Sequence, residues 1–564
     1  MHPHFGALSL VLAMVTSGLS AQSSARKARA ELETAEKTIL GASATSERTT
    51  RAAAYVTRSM AEADLESVFP PSTIEHAILE VLRDHVAGEG VELQARIGHH
   101  VLILAPPGWL AAIEPRRLRA NLDAAMILLH DLTGCSVEAA RARRIVVMFS
   151  PGQPAERAQT LGAVVRFGKR WLVTPPPWTM LFHELGHEMF PGSIRPRFET
   201  FNEAWPHIGR QYIYQHLGMA APFEHDRGVF RDALEMQYLR PKLTLDQLGP
   251  YNIGAGAIDR IFETATLRAG VYDWSPVKRL FRAAAAIPSE TGSFHHRQEV
   301  LAWLISEHLG GKALETAEAL GFSLLPSRRA VIGRGIERAA PLHARAMAAL
   351  GGSDSARGRV DLQTLVSKFP GSMWAADAAI QLAAHHHTQA RPEKARTSLE
   401  SAGFLLDWHV VGPFDNRNRG GLRRPYGPEQ DAQLETGYAG AIAQVKWRPI
   451  TASLATGRVD LDAVMKPNDG VVAYLRATVH SGRDCDAVLL TGSDDGIAIW
   501  VNGHKVLHKD VYRGLMLDSD RARCRLKKGR NTLLLKVSEG GQAWEACCRL
   551  TLPDGNPIPR RELR

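Results

Sequence analysis

Residues 182–190 read Phe182-His183-Glu184-Leu185-Gly186-His187-Glu188-Met189-Phe190, and this stretch decides what kind of fold the chain needs. On a helix, residues four apart lie about 40° from one another around the axis, so His183 and His187 face the same way and can share one metal ion. Glu184 falls beside them, where a carboxylate can take a proton from a metal-bound water. Met180, Leu181, Phe182, Leu185, Met189 and Phe190 make the helix apolar nearly all round. Such a helix is buried, and buried charged groups need partners or a metal, which argues against two ordinary histidines on a solvated face. Outward from the motif, residues 171–174 are an apolar run. Pro175-Pro176-Pro177 sits where a helix N-terminus tolerates proline, and Pro191-Gly192 stops the helix.

Catalytic zinc takes three protein ligands and keeps one position for water. No third histidine follows at the short metzincin spacing, so that ligand set is not expected. Glu203, sixteen positions after His187 in a second helical stretch, is the expected third ligand, with Glu199 as its rival. At 100° per residue, Glu203, His207, Arg210 and Tyr214 share one narrow stripe. Polar groups so aligned are costly to bury without a purpose. Facing a metal, His207, Arg210 or Tyr214 can donate to the oxyanion formed when water attacks a carbonyl. Pro206 makes the first turn irregular.

This pattern resembles the gluzincin metallopeptidases, in which HEXXH is followed by a distant Glu on the next helix. Asn202-Glu203-Ala204-Trp205 is similar to their Asn-Glu pair, and the HELGH form with its short separation resembles the enhancin-like (M60-like) branch. The resemblance covers roughly residues 95–325 and lacks the Gly-x-Met-Glu-Asn segment of the aminopeptidase branch. It implies a small sheet ahead of the helix, with an edge strand to align an extended peptide. It also implies Zn2+ on His183, His187 and Glu203, and a protein or glycoprotein substrate.

At 564 residues the chain is too long for one core, and its 45% hydrophobic and 23% charged content is that of a globular protein. The net charge of +9 is scattered, with no basic run interleaved with aromatics, so nucleic acid is not an expected partner. Residues 1–21 read as a signal peptide with an apolar core from Phe5 to Val15, too short for a transmembrane anchor. The protein is therefore expected to be exported. Five cysteines, four of them in the last domain, permit disulfides whose pairing sequence does not give.

The expected fold is multidomain α+β. After the signal comes a polar helical leader or mobile arm (22–70), then a zincin-like domain (71–340). A helical, TPR-like spacer (341–403) and an antiparallel β-sandwich (404–564) complete it. Within the second domain, a helix is expected at 73–87 and strands at 91–97, 101–105 and 145–149. A hairpin of 162–167 with 170–174 leads to the HEXXH helix. Tyr251 and the glycine-rich 252–256 form either a substrate loop or an interhelical turn. His295-His296 and His385-His386-His387 read as solvent-facing. In the last domain, Ser493-Asp494-Asp495-Gly496 and Trp500-Val501-Asn502-Gly503 resemble PA14-like jelly-roll modules. That resemblance implies Ca2+ at Asp494/Asp495 and glycan binding; the plain alternative is a hairpin turn. The whole points to an exported zinc endopeptidase with Glu184 as general base. The alternatives are an inactive zincin-like surface protein whose sandwich binds glycans, and a zinc hydrolase acting on another bond.

Overall fold

The apolar runs 101–105 and 145–149 become neighbouring parallel strands at the heart of a mixed sheet. The computed structural model describes residues 19–42, 45–61, 94–135, 144–150, 158–161, 164–173, 178–187, 189–190, 199–242, 252–268, 271–288, 294–352, 354–541 and 543–558. The sheet comprises β1 (Gln94–Ile97), β2 (Val101–Ala105), β3 (Ile145–Phe149), β4 (Ala158–Leu161) and β5 (Val164–Phe167) in the order β1-β2-β3-β5-β4. β1 and β4 run antiparallel to their neighbours, whereas β2, β3 and β5 are mutually parallel. All five residues of β3 are buried, as expected for a central strand covered on both faces.

Helices in this unit are α1 (Leu19–Leu40), α2 (Thr45–Ala61), α3 (Pro115–Thr133), α4 (Trp178–His187), α5 (Glu199–His216), α6 (Ala220–Leu234), α7 (Asn252–Thr266) and α8 (Ser275–Ala285). The unit comprises residues 1–286 with 304–322. At its centre α3 buries nearly every residue from Leu118 to Thr133, one of them the acid Asp131. The Asp131 carboxylate takes Arg48 of α2 at 2.7 Å, the Lys278 ammonium of α8 and the Tyr212 hydroxyl of α5. A buried carboxylate survives only with such partners, so this one fastens three helices to α3.

Of the two alternatives for residues 22–70, the described part takes the helical one: α1 and α2 are packed into the unit, with Leu32, Ile39, Ala52 and Tyr55 fully buried. Two expectations are corrected here. Residues 170–173 form a short helix rather than a strand, because β5 already has both edges occupied by β3 and β4. The hairpin is β4–β5 instead. Residues 252–256 are neither loop nor turn but the start of α7. A Cβ on Gly256 would come within 2.3 Å of the Phe230 carbonyl oxygen, so the glycine is there to let α6 and α7 touch. The expected helix 73–87, residues 91–93, Tyr251, the prolines 175–177 and residues 1–18 of the expected signal peptide lie outside the described residues.

The second unit comprises residues 287–303 and 323–564. Helices Ser355–Lys368, Met373–Thr388 and Pro392–Ser401 pack consecutively, the first two capped by Asp354 and Ser372 side chains that accept the backbone N–H of Arg357 and Ala375. Two antiparallel sheets follow. The six-stranded one runs Arg448–Thr451, Asp407–Asp415, Val471–Ser481, Gly529–Ser538, Ile497–Val501, His504–Lys509; the four-stranded one runs Arg458–Asp460, Glu545–Thr551, Cys485–Ser493, Asp520–Leu526. Val410, Leu475, Leu535 and Ile499 of the first share a core with Leu489 and Leu550 of the second, a sandwich-like packing. Phe414, Tyr438, Trp447, Tyr474 and Trp500 form a second core on the outer face of the larger sheet.

His296 was expected to face solvent, yet it is buried against the Trp374 ring, 5.1 Å between centroids. Its neighbour Glu299 is also buried and takes both Arg328 (2.8 Å) and Arg521. All five cysteines are free thiols. No described helix is long and apolar enough to cross a membrane.

Candidate metal centre

Gly186 is the residue that allows the site to assemble. A Cβ built on it would lie 2.8 Å from Pro206 Cα and 3.0 Å from Pro206 Cβ, so α5 crosses α4 at the distance only glycine permits. Pro206 lies inside α5, where it removes the hydrogen bond to the carbonyl of residue 202. Three residues before Pro206, Glu203 is brought by the close crossing over the two histidines of α4.

Glu203 Oε2 lies 3.0 Å from His183 Nε2 and 3.3 Å from His187 Nε2. One donor atom from each of the three residues falls within 4.8 Å of the others. Zinc bonds of about 2.0–2.1 Å in a tetrahedron place neighbouring donors about 3.3 Å apart, close to the two distances from Glu203. The His183 and His187 rings stand nearly perpendicular, at 88°, with centroids 4.9 Å apart. Glu184 is buried in the same helix.

Electrostatics favours the metal-ready forms. Burial, against a weaker pull from Glu203, holds His183 down to about 4. Burial also pushes Glu203 upward, but hydrogen bonds with His183 and His187 outweigh it and bring the carboxyl to about 2. Neutral imidazole beside ionised carboxylate is the protonation pattern that a divalent cation requires. His183 Nδ1 has no hydrogen-bond partner among the described residues, so the orienting contact usual for a ligand histidine is not supplied there.

The three expected helpers divide. Arg210 donates to the Thr179 carbonyl at 3.0 Å and pairs with Asp226 at 2.7 Å; the Tyr214 hydroxyl donates to Thr179 Oγ1 at 2.9 Å. Both therefore tie α5 to the first turn of α4. His207 is different: its ring lies 4.5 Å from that of His183 and 4.9 Å from Phe230, and neither nitrogen has a partner among the described residues. Burial pushes its pKa well below the ordinary range, so it is a neutral imidazole with one N–H to give. Glu199 opens α5, and its side chain lies outside the described residues.

Asp494 and Asp495 sit at the turn between Cys485–Ser493 and Ile497–Val501, with Asp495 at φ 58°. Asp495 Oδ1 accepts the Arg513 N–H at 2.9 Å, so this carboxylate has a turn-building task. Burial, and then the nearby Asp495, Glu545 and Glu539, raise Asp494 to about 6.

Among the described residues one further cluster has metal-ligand character, Glu36 with His99 and His100. Sequence reasoning missed it: the two histidines occupy a turn between apolar strands, and their carboxylate lies more than sixty residues earlier. No protein-family model matches this chain, and no curated protein is significantly similar to it.

Proposed function

We propose that the chain is an exported, zincin-type zinc endopeptidase of the gluzincin kind. His183, His187 and Glu203 would hold the ion. The observation that supports this reading is the single Glu203 oxygen within 3.0 and 3.3 Å of the two HEXXH imidazoles. When bound, zinc supplies a Lewis acid that polarises a scissile carbonyl and lowers the pKa of a water. Glu184 takes the proton from the attacking water and hands it to the leaving amine. His207 donates its N–H to the oxyanion. β4 is an edge strand that α4 approaches, and an extended peptide can add to its open side. Helices 355–401 act as a TPR-type spacer, and the sandwich, PA14-like in kind, docks the enzyme on glycans.

Replacing Glu184 by Gln tests the mechanism. Hydrolysis of a glycoprotein substrate should disappear while the zinc content stays at the wild-type level; undiminished turnover would sink the reading. The rival, a zinc-holding surface protein without hydrolysis, draws on Arg210 and Tyr214 being spent on Thr179. It predicts no turnover from the unaltered chain on any substrate.

A further inference from the structure

Helix α1 and the turn between β1 and β2 bring a second donor set together. Glu36 Oε2 lies 3.2 Å from His99 Nε2 and 3.1 Å from His100 Nε2, and the two rings meet edge to face, 4.4 Å between centroids. These separations match a zinc tetrahedron's edge, about 3.3 Å, as closely as those around Glu203 do. Adjacent residues in a regular helix or strand would point apart; a sharp turn is needed to aim both rings at one point.

The turn is built to hold that aim. Asp123 of α3 accepts the backbone N–H of His99 at 3.0 Å, of His100 at 2.8 Å and of Val101 at 3.2 Å. Gly98 closes the turn by donating to the Val101 carbonyl, and its own carbonyl accepts Arg144 Nε at 3.0 Å. The His100 carbonyl accepts the Ile145 N–H. A Cβ on Gly98 would lie 2.6 Å from both Asp123 oxygens, so glycine there is what admits the carboxylate. Held by these backbone hydrogen bonds, the turn presents two imidazoles pre-set, which lowers the ordering cost of binding an ion. The Glu36 side chain is one-fifth exposed and those of the histidines less, leaving a fourth position open to water.

We propose that Glu36, His99 and His100 bind a second divalent transition-metal ion of the zinc class, which pins α1 to the sheet. Two imidazoles and one carboxylate suit Zn2+ far better than Ca2+ or Mg2+, which prefer oxygen. The proposal does not depend on the reading of the His183 site, and its test removes that site first. The full chain carrying His183→Ala and His187→Ala should retain one equivalent of zinc. Co2+ in its place should give the visible d–d absorption of a low-symmetry site. Adding Glu36→Gln should abolish both, with helical circular dichroism unchanged. A double variant that keeps no metal, or metal that Glu36→Gln leaves in place, overturns the proposal and reduces the cluster to an ion pair. Should the double variant fail to fold, Glu36→Gln is placed in the otherwise unaltered chain. Loss of one equivalent of zinc relative to the unaltered chain then supports the proposal, and an unchanged zinc content overturns it.

Discussion

Gly186→Ala is the sharpest perturbation of the proposed metal centre, because it adds one methyl group at a contact that has no room. The new Cβ would start 2.8 Å from Pro206 Cα, a backbone atom of a buried helix that cannot swing aside. An ordinary carbon–carbon contact is about 3.5–4.0 Å, so α5 must retreat by about 1 Å. Glu203 rides on that helix, one turn away. Metal sites tolerate displacements of about 0.2 Å in a ligand bond, so the carboxylate loses its grip on the ion. Zinc affinity should fall by about 10–100-fold, the range found when a ligand is left badly oriented. Stability responds less. Alanine gains about 1 kcal/mol over glycine in a helix, while overpacking costs about 1–3 kcal/mol, leaving a net loss of about 0–2 kcal/mol. Zinc titration against a chelator, beside thermal melting of the metal-free chain, separates the two quantities. An alanine variant with unchanged zinc affinity would refute the claim that this glycine sets the helix crossing.

Other outcomes follow from groups described above. Asp131→Asn should destabilise the first unit by about 3–5 kcal/mol, read as a lower urea midpoint, since it leaves Arg48 and Lys278 in the interior without a counter-charge. Glu299→Gln should cost the second unit a similar amount for the same reason, with Arg328 and Arg521 left unpaired. The two arginines outweigh burial and hold the Glu299 carboxyl near 2, below its ordinary 4.5. Its contribution is therefore fully present above pH 4.5 and lost as the pH falls toward 2; acid melting of the variant should be flatter across that window. His207→Phe should raise the melting temperature by relieving a buried ring without hydrogen bonds among the described residues, worth about 1–3 kcal/mol. The same change should lower kcat by about 100–1,000-fold if the N–H serves the oxyanion, and unchanged kcat would remove His207 from the mechanism.

Much of this was legible in the sequence where a local period carried it. The four-residue spacing of His183 and His187, the apolar surround of α4 and the stripe from Glu203 to Tyr214 each depend on helix geometry alone. The alternating segments after residue 404 likewise announced antiparallel sheets. What escaped depended on partners distant in the chain. Residues 170–173 are apolar enough for a strand, but only the sheet's occupied edges decide otherwise. Gly254 and Gly256 read as flexible because the carbonyl of Phe230, which requires the second of them to be small, is invisible from their own neighbourhood. Arg210 and Tyr214 sat on the expected face, but sequence could not tell that Thr179 would engage both. His99 and His100 were overlooked because their counterpart, Glu36, lies in a stretch whose polarity suggested no fixed place.

Asp131 also links stretches of the chain that are made far apart in time. The groups that engage it come from positions 48, 212 and 278, so a nascent chain halted before Lys278 holds an interior acid short of one cation. The first unit thus gains its full complement of contacts at this acid only when residue 278 is in place. Until that lysine arrives, the carboxylate has only Arg48 and the Tyr212 hydroxyl against it.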